Sequence, residues 1–198
     1  MINTIIFDAG GVFVKGTSKE FFIKISKILK VDSSVFIKRK YIWDNAQKGE
    51  ISLQDAIEEI FDIPISEEKM VEIINVWKRN FKLDIAIRDF AKKLSKDYRI
   101  FILSNIDTES VELFKDHREG FDFVEEEFLS CKLGMKKPDR EIYEYVLNKI
   151  NVKPEKCVFI DDKPENIEGA EKVGIHGIVF KNKEQLKREL RKLGVKVD

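Results

Sequence analysis

The stretch KCVFIDDKPENIEGAEKVGIHGIVF, residues 156–180, is where the fold is decided. Its first five residues form an apolar run that stops abruptly at Asp161-Asp162. Pro164 then opens a segment with apolar residues at helical spacing to Val173, and Gly174 fits a left-handed helix stop. A second apolar run, 177–180, follows. Short apolar runs bounded by polar residues read as buried parallel strands, and a strand–helix–strand unit implies a right-handed crossover. Outward from this unit the pattern repeats. Residues 4–7 run into Asp8, residues 99–103 run into Ser104, and residues 127–130 form a weaker fifth strand. Helical spacing fills 85–94, 107–115 and 138–150, with Pro138, like Pro164, expected in a first helical turn. The alternation predicts an α/β fold, a doubly wound parallel sheet of Rossmann-like type.

Residues 15–81 break the alternation. They contain no convincing strand and read as amphipathic helices over 20–29, 33–45, 53–61 and 66–80. All-helical sequence between the first and second strands of an α/β protein suggests an inserted cap, which divides the chain into a core of 1–14 with 82–198 and a helical cap of 15–81. The tail, 181–192, alternates charge as a solvated helix does.

Composition excludes several classes of function. Lys+Arg and Asp+Glu number 36 each, for a formal net charge of +0. That gives no electrostatic case for nucleic acid or an anionic membrane surface. No apolar stretch has the ~18–20 residues of a membrane helix. Cys131 and Cys157 lack metal-ligand spacing and, without a charged leader before residue 4, suit a reducing cytoplasm in which a disulfide is not expected. A monomer is the default.

The chemistry-bearing residues stand at the strand ends, where open parallel sheets bind ligands. Asp8 precedes Gly10-Gly11, a pair that permits a sharp turn and close backbone approach. Taken alone, Asp8 serves equally well to cap a turn. Ser104-Asn105 offers hydroxyl and amide donors for a phosphate oxygen, although the same pair commonly starts a helix. Lys137, just before Pro138, can neutralise charge on a transferred phosphoryl group and on an attacking carboxylate. Asp161 and Asp162 repel each other unless a cation offsets them, and with Asp8 they make the oxygen-rich site that magnesium prefers. Asn166, four residues after Asp162, lies about one helical turn on and can support it. The set suits nucleophilic phosphoryl transfer through an acyl phosphate. His117 and His176 fall outside the strand ends, Cys157 begins a buried strand, and no Gly-x-x-x-x-Gly-Lys loop is present. Serine, cysteine and P-loop chemistries are therefore set aside.

Four motifs in order, Phe7-Asp8-Ala9-Gly10-Gly11-Val12, Leu103-Ser104-Asn105, Gly134-Met135-Lys136-Lys137-Pro138 and Phe159-Ile160-Asp161-Asp162 with Asn166, resemble the haloacid dehalogenase-like superfamily. The likeness is to its subfamily with a helical cap after the first motif. Gly49-Glu50-Ile51-Ser52 is also similar to that cap. The resemblance implies a sheet in the order 5-4-1-2-3, Asp8 as nucleophile, and Ser104 and Lys137 as phosphate-holding groups. It further implies magnesium held by Asp8, Asp162 and the carbonyl of Gly10, with Asp161 and Asn166 close by.

One departure matters. The family's phosphatases usually carry a second aspartate two positions after the nucleophile, as acid and then base. Here that position is Gly10. General acid–base help is typically worth ~10²–10⁴-fold, so its loss favours substrates with easier leaving groups, a proton supplied from elsewhere, or phospholigand binding without turnover. The glycine version resembles a glucose-1-phosphate phosphatase-like branch, which makes a hexose 1-phosphate the first substrate expected. A 2-haloacid dehalogenase is the rival enzyme, and the Asp161-Asp162 pair argues against it. From the cap, Trp43, Asp44, Asn45 and the turn of Lys48, Gly49 and Glu50 are candidates to face the site, with Trp43 serving equally as core.

Overall fold

The structure, a computed structural model, describes residues 1–16, 18–113, 115 and 120–197. In chain order the elements are β1 (Thr4–Phe7), β2 (Val14–Lys15), α1 (Ser18–Leu29), α2 (Ser34–Lys38), α3 (Lys40–Gln47), α4 (Leu53–Phe61), α5 (Glu67–Asn80) and β3 (Lys82–Leu83). There follow α6 (Ile85–Leu94), β4 (Arg99–Ser104), α7 (Thr108–Leu113), β5 (Glu126–Leu129), α8 (Ser130–Leu133), α9 (Arg140–Ile150), β6 (Cys157–Asp161), α10 (Pro164–Glu171), β7 (His176–Val179) and α11 (Lys183–Lys192). Five of the strands form one parallel sheet in the order β5-β4-β1-β6-β7. Numbered among themselves along the chain they run 3-2-1-4-5, the expected order read from the other edge.

Strand alternation decides which helices cover which face. Ile5, Phe7, Ile100, Ile102, Val158 and Ile160 pack in one cluster with Phe90 and Leu94 of α6 and Leu186 and Leu190 of α11. Ile6, Phe101, Leu103 and Phe159 pack on the other side with Ile142, Tyr143 and Val146 of α9 and Ile167 of α10. Ile5, Ile100 and Val158 are completely buried, and each such side chain contributes about 1.5–3 kcal/mol. The charged tail helix α11 is thus solvated on one side only, because its two buried leucines close the sheet face.

The inserted helices make a third core of their own, in which Phe21, Phe22, Trp43, Ile57 and Trp77 are all buried. The helix expected over 33–45 is two helices broken at Arg39 (φ −112°, ψ 22°). The Arg39 guanidinium instead donates to the carbonyls of Glu59 (2.8 Å) and Ile60 (3.3 Å) at the end of α4. A two-residue ribbon, β2 against β3, joins the insertion to the sheet; strands this short leave no period to read. Pro138 is not in a first helical turn: it lies before α9, whose N-cap is Asp139, and the Lys137–Pro138 peptide is cis. The helix expected over 107–115 is described as far as Leu113. Among the described residues no helix is long and apolar enough to cross a membrane.

Candidate active site

Parallel pairing brings the chemistry together. β1 ends at Phe7, and the Asp8 N–H donates to the Ile160 carbonyl at 2.8 Å, which fixes Asp8 beside the strand that delivers Asp161. The chain then turns back, with the Ala9 carbonyl accepting from the N–H groups of Phe13 and Val14, both at 2.9 Å. Gly11 has φ +80°, and a Cβ there would stand 2.3 Å from the Asp162 carboxyl carbon. Glycine is what allows Asp162 to occupy its place. Gly10 is different: a Cβ there would meet nothing within 4 Å.

Lys137 is the hub. Its side chain is 1% exposed, and its ammonium donates to Asp8 Oδ1 at 2.8 Å, Asp161 Oδ2 at 2.7 Å and the Leu103 carbonyl at 2.8 Å. All three ammonium protons are therefore used. The Asn105 side chain, expected to offer its amide to a phosphate oxygen, lines the cavity and is turned to the Lys137 backbone. Its Nδ2 donates to the Lys137 carbonyl (2.8 Å) and its Oδ1 accepts from the Lys137 N–H (2.9 Å). That two-point clamp holds the lysine backbone. Ser104 closes β4, is buried, and lines the cavity without sharing in this clamp.

The neighbouring aspartates have different surroundings. Asp161 accepts from Lys137, from Asn166 Nδ2 (2.9 Å) and from the Lys163 N–H (2.8 Å). Asn166 thus supports Asp161 and not Asp162, because α10 begins only at Pro164 and Asp162 is not on the helix. Nor are both carboxylates uncompensated, since Lys137 already pairs with Asp161. Asp162 Oδ1 is the exception: it is buried and has no partner. Oxygens of Asp8, Asp161 and Asp162 lie within 4.8 Å of one another. Three carboxylates face one ammonium, and the atom left without a donor is where a hard cation fits.

These surroundings shift the protonation of the groups. Burial pushes the Asp8 carboxyl up to about 6, opposed by Lys137 and reinforced by Asp161. Burial, then Asp161, also raises Asp162. For Lys137 burial works against the charge, but Asp8 and Asp161 together hold it above the ordinary lysine value.

These residues form one end of a cavity of about 700 Å³. Trp43, Asp44 and Gln47 of α3 line it, whereas Asn45, Lys48, Gly49 and Glu50 do not. The turn at Gly49 packs on the Cys131 backbone instead. Trp43 is both wall and core. Two contributors escape sequence reading. Gln47 Nε2 donates to the Asn105 carbonyl (3.3 Å), and the buried Ser130 hydroxyl donates to the Gln47 carbonyl (2.5 Å) and accepts from the Ile106 N–H (2.9 Å). Ser130 follows β5, so the strand-end rule that selects Asp8 and Ser104 also points to it. Cys157 is buried with its thiol pushed up to about 12, chiefly by burial, and both cysteines are free. His176 lies exposed at the far edge strand, and His117 lies outside the described residues.

Several known proteins are similar to this chain. The chain is 26% identical over 203 residues to a D-ribitol-5-phosphate phosphatase of Bacteroides thetaiotaomicron, covering 96% of this chain and 97% of that protein. It also matches drimenol cyclase drtB of Aspergillus calidoustus, 27% identical over 154 residues, covering 75% of this chain but only 29% of that protein. Among solved structures, a HAD-like family hydrolase of Porphyromonas gingivalis superposes with a TM-score of 0.82 at 24% identity, covering 99% of both chains. A HAD family enzyme of B. thetaiotaomicron, an Asp-to-Ala mutant in complex with magnesium and inorganic phosphate, superposes with a TM-score of 0.73 at 24% identity, covering 91% of this chain and 95% of that one. The haloacid dehalogenase-like hydrolase family model matches residues 2–174. From Asp8 at the end of the first strand to the Asp161-Asp162 pair at the fourth, this chain belongs to the haloacid dehalogenase-like hydrolases.

Proposed function

We propose that the protein hydrolyses the phosphate monoester of a small metabolite in the cytoplasm, with Asp8 as nucleophile. The observation that carries this reading is the Asp8–Lys137–Asp161 cluster: a carboxylate at a strand end, held by a buried ammonium that it shares with a second carboxylate. In the first step an Asp8 carboxylate oxygen bonds to phosphorus as the ester P–O bond breaks, and the alcohol oxygen leaves with the electron pair. Water then attacks the aspartyl phosphate, releasing inorganic phosphate and restoring the carboxylate. The Ser104 hydroxyl holds a phosphoryl oxygen, while Lys137, whose three protons go to Asp8, Asp161 and the Leu103 carbonyl, offsets the phosphoryl charge from beside it; Asn105 positions Lys137 and Asn166 positions Asp161.

The donor set fits a magnesium ion held by Asp8, Asp162 and the Gly10 carbonyl, and the unpartnered Asp162 oxygen supports that assignment. When bound, the ion offsets the charge gathered around the phosphoryl group. Residues 15–81 act as a cap over a core of 1–14 and 82–198, excluding water from the cavity; their separate hydrophobic cluster supports the division. The D-ribitol-5-phosphate phosphatase likeness supports a small phosphorylated substrate, and a hexose 1-phosphate is the form that Gly10 first suggests. Phosphate release from acetyl phosphate and from a panel of metabolite monoesters, with magnesium or with chelator, tests the reading against an Asp8→Asn control. Release equal in the two proteins would leave a phospholigand-binding protein, and metal-independent halide release from a 2-haloacid would indicate the dehalogenase.

A further inference from the structure

We propose that the cavity takes the ring of an aryl phosphate, so that the preferred substrate is the monoester of a phenol or fused aromatic alcohol; this rests on the phosphomonoesterase reading above. Two independent features point to it. The first is the aromatic lining of the cavity. Phe36, Trp43, Trp77 and Phe81 line it from the helical side, while Phe13 and Phe121 line it from the sheet side. Trp77 lies 4.8 Å from Phe81 at 47°, and Phe13 lies 5.1 Å from Phe121 at 90°. Flat rings gain most from such offset and edge-on surroundings. At about 700 Å³ the space is far more than a phosphoryl group requires, and falls within the about 300–1,000 Å³ of cavities for drug-sized ligands.

Several polar groups on these walls are already engaged, whereas the indole N–H groups of Trp43 and Trp77 are buried without a partner. Asp44 pairs with Lys136 at 2.8 Å, Gln47 donates to the Asn105 carbonyl at 3.3 Å, and Asp107 accepts from the Ser110 hydroxyl (2.6 Å) and N–H (2.9 Å). A polyol placed here could meet those two indole donors, but its remaining hydroxyls would be buried against rings. Each hydroxyl buried without a partner weakens binding by about ten- to a hundred-fold.

The second feature is Gly10. A side chain there has open space around it, so glycine is not a steric requirement, and its choice removes an acid from beside the departing oxygen. An oxygen that leaves unprotonated must carry its own charge. A phenol, with a pKa of about 10, does so far better than an alkanol, whose value lies near the about 16 of water. The P–O bond to the ring breaks with its electron pair on the phenolate, which takes a proton from solvent. The water that cleaves the aspartyl phosphate returns a proton, so the balance is one phosphate ester and one water giving one phenol and one phosphate.

The protein has only two tryptophans, and both line this cavity, so its intrinsic indole fluorescence reports the cavity directly. Titration of wild type with methylphosphonate, phenylphosphonate, naphthylphosphonate and a hexose 1-methylenephosphonate, which cannot be turned over, reads binding alone. Kd should fall at least tenfold from methyl to naphthyl, with the hexose analogue binding no more tightly than methyl. A hexose or prenyl phosphonate matching the naphthyl one would overturn the proposal. Turnover provides the second arm. Gly10→Asp should raise alkyl phosphate hydrolysis at least tenfold more than aryl phosphate hydrolysis, and equal effects would overturn the leaving-group argument. Acetyl phosphate separates the two readings. If it is hydrolysed in an Asp8-dependent way while naphthylphosphonate gains nothing over methyl, this inference fails and the phosphatase stands. If neither it nor any monoester is hydrolysed, the phosphatase reading fails and takes the aryl ester cleavage with it.

Discussion

The carboxyl edge of the sheet and the helical wall facing it enclose the same cavity, yet they are specified in opposite ways. At the sheet edge almost every polar atom has a named partner: Lys137 binds Asp8, Asp161 and Leu103, while Asn105 clamps Lys137 and Asn166 holds Asp161. On the helical wall the contacts are ring against ring, such as Phe21 on Trp77 and Trp43 on Trp77. In a buried ionic cluster, removing one member strands the others, so the response to mutation is steep. Apolar packing gives way by degrees, in proportion to the volume lost. Under the proposed function the difference separates duties: the edge would fix which bond is made, and the wall would change its ligand without disturbing the chemistry.

The contrast breaks hardest at Asp8. Asp8→Asn keeps the shape and removes the proposed nucleophile, and phosphate release should drop by at least about 10⁴-fold with the circular dichroism unchanged. An Asn variant within a hundredfold of wild type would remove Asp8 from the role. Next comes Lys137→Met, which leaves the Asp8 and Asp161 carboxylates buried without their cation. Stripping one partner from such a cluster costs about 3–5 kcal/mol, readable as a lower urea midpoint with unchanged slope. Adding Asp8→Asn to Lys137→Met should recover part of that loss, because one of the stranded charges is gone. No recovery would mean that packing, not charge, governs the site.

Asp107 tests what a buried carboxylate does without a lysine. It is 1% exposed and accepts from the hydroxyl and N–H of Ser110. Burial pushes its carboxyl up to about 6, and Glu109 adds to the rise. A folded-state pKa above the unfolded one means that the folded protein holds the proton more tightly. The favourable contribution is therefore complete below the unfolded pKa of about 4 and is lost as pH rises through about 6. The span corresponds to about 3 kcal/mol at most. Urea unfolding at pH 4 and pH 7 should show wild type losing more stability across this range than Asp107→Asn by about 2–3 kcal/mol. Parallel profiles for the two proteins would place the Asp107 titration elsewhere.

The same contrast explains what was legible in the sequence. The edge was, because buried parallel strands are short apolar runs and their polar terminators stand out: Asp8, Ser104 and Asp161 are each visible at the end of such a run. Which neighbour does what was not. Asp161 and Asp162 are adjacent letters but have different surroundings, since Asp161 is the last residue of β6 and Asp162 already lies in the loop beyond it. The loop geometry that sends Asn166 back to Asp161 is equally invisible. Pro138 was misplaced because a proline before a helical pattern looks the same one turn early. The insertion was legible as helices, but not as a wall. Trp43 and Trp77 carry ordinary core periodicity, and only the packed structure brings both to the cavity that the carboxylates also line. Gln47 gave no signal, because its contact depends on the approach of α3 to a loop 58 residues away.

That contact is the smallest effect and the sharpest test of the division between edge and wall. Gln47 reaches from the helical layer to the Asn105 carbonyl, and the Asn105 side chain holds the backbone of Lys137. If the wall only selects ligands, Gln47→Ala should change KM and leave kcat alone. If the link helps to seat Lys137, kcat should fall, by about three- to tenfold for the loss of one neutral hydrogen bond. We expect the fall in kcat. We also expect Asn105→Ala to have the larger effect and the two changes to be less than additive, because the second has no clamp left to disturb. Full additivity in that double-mutant cycle would mean that the helical layer acts on the substrate alone, and the separation between the two regions would then be complete.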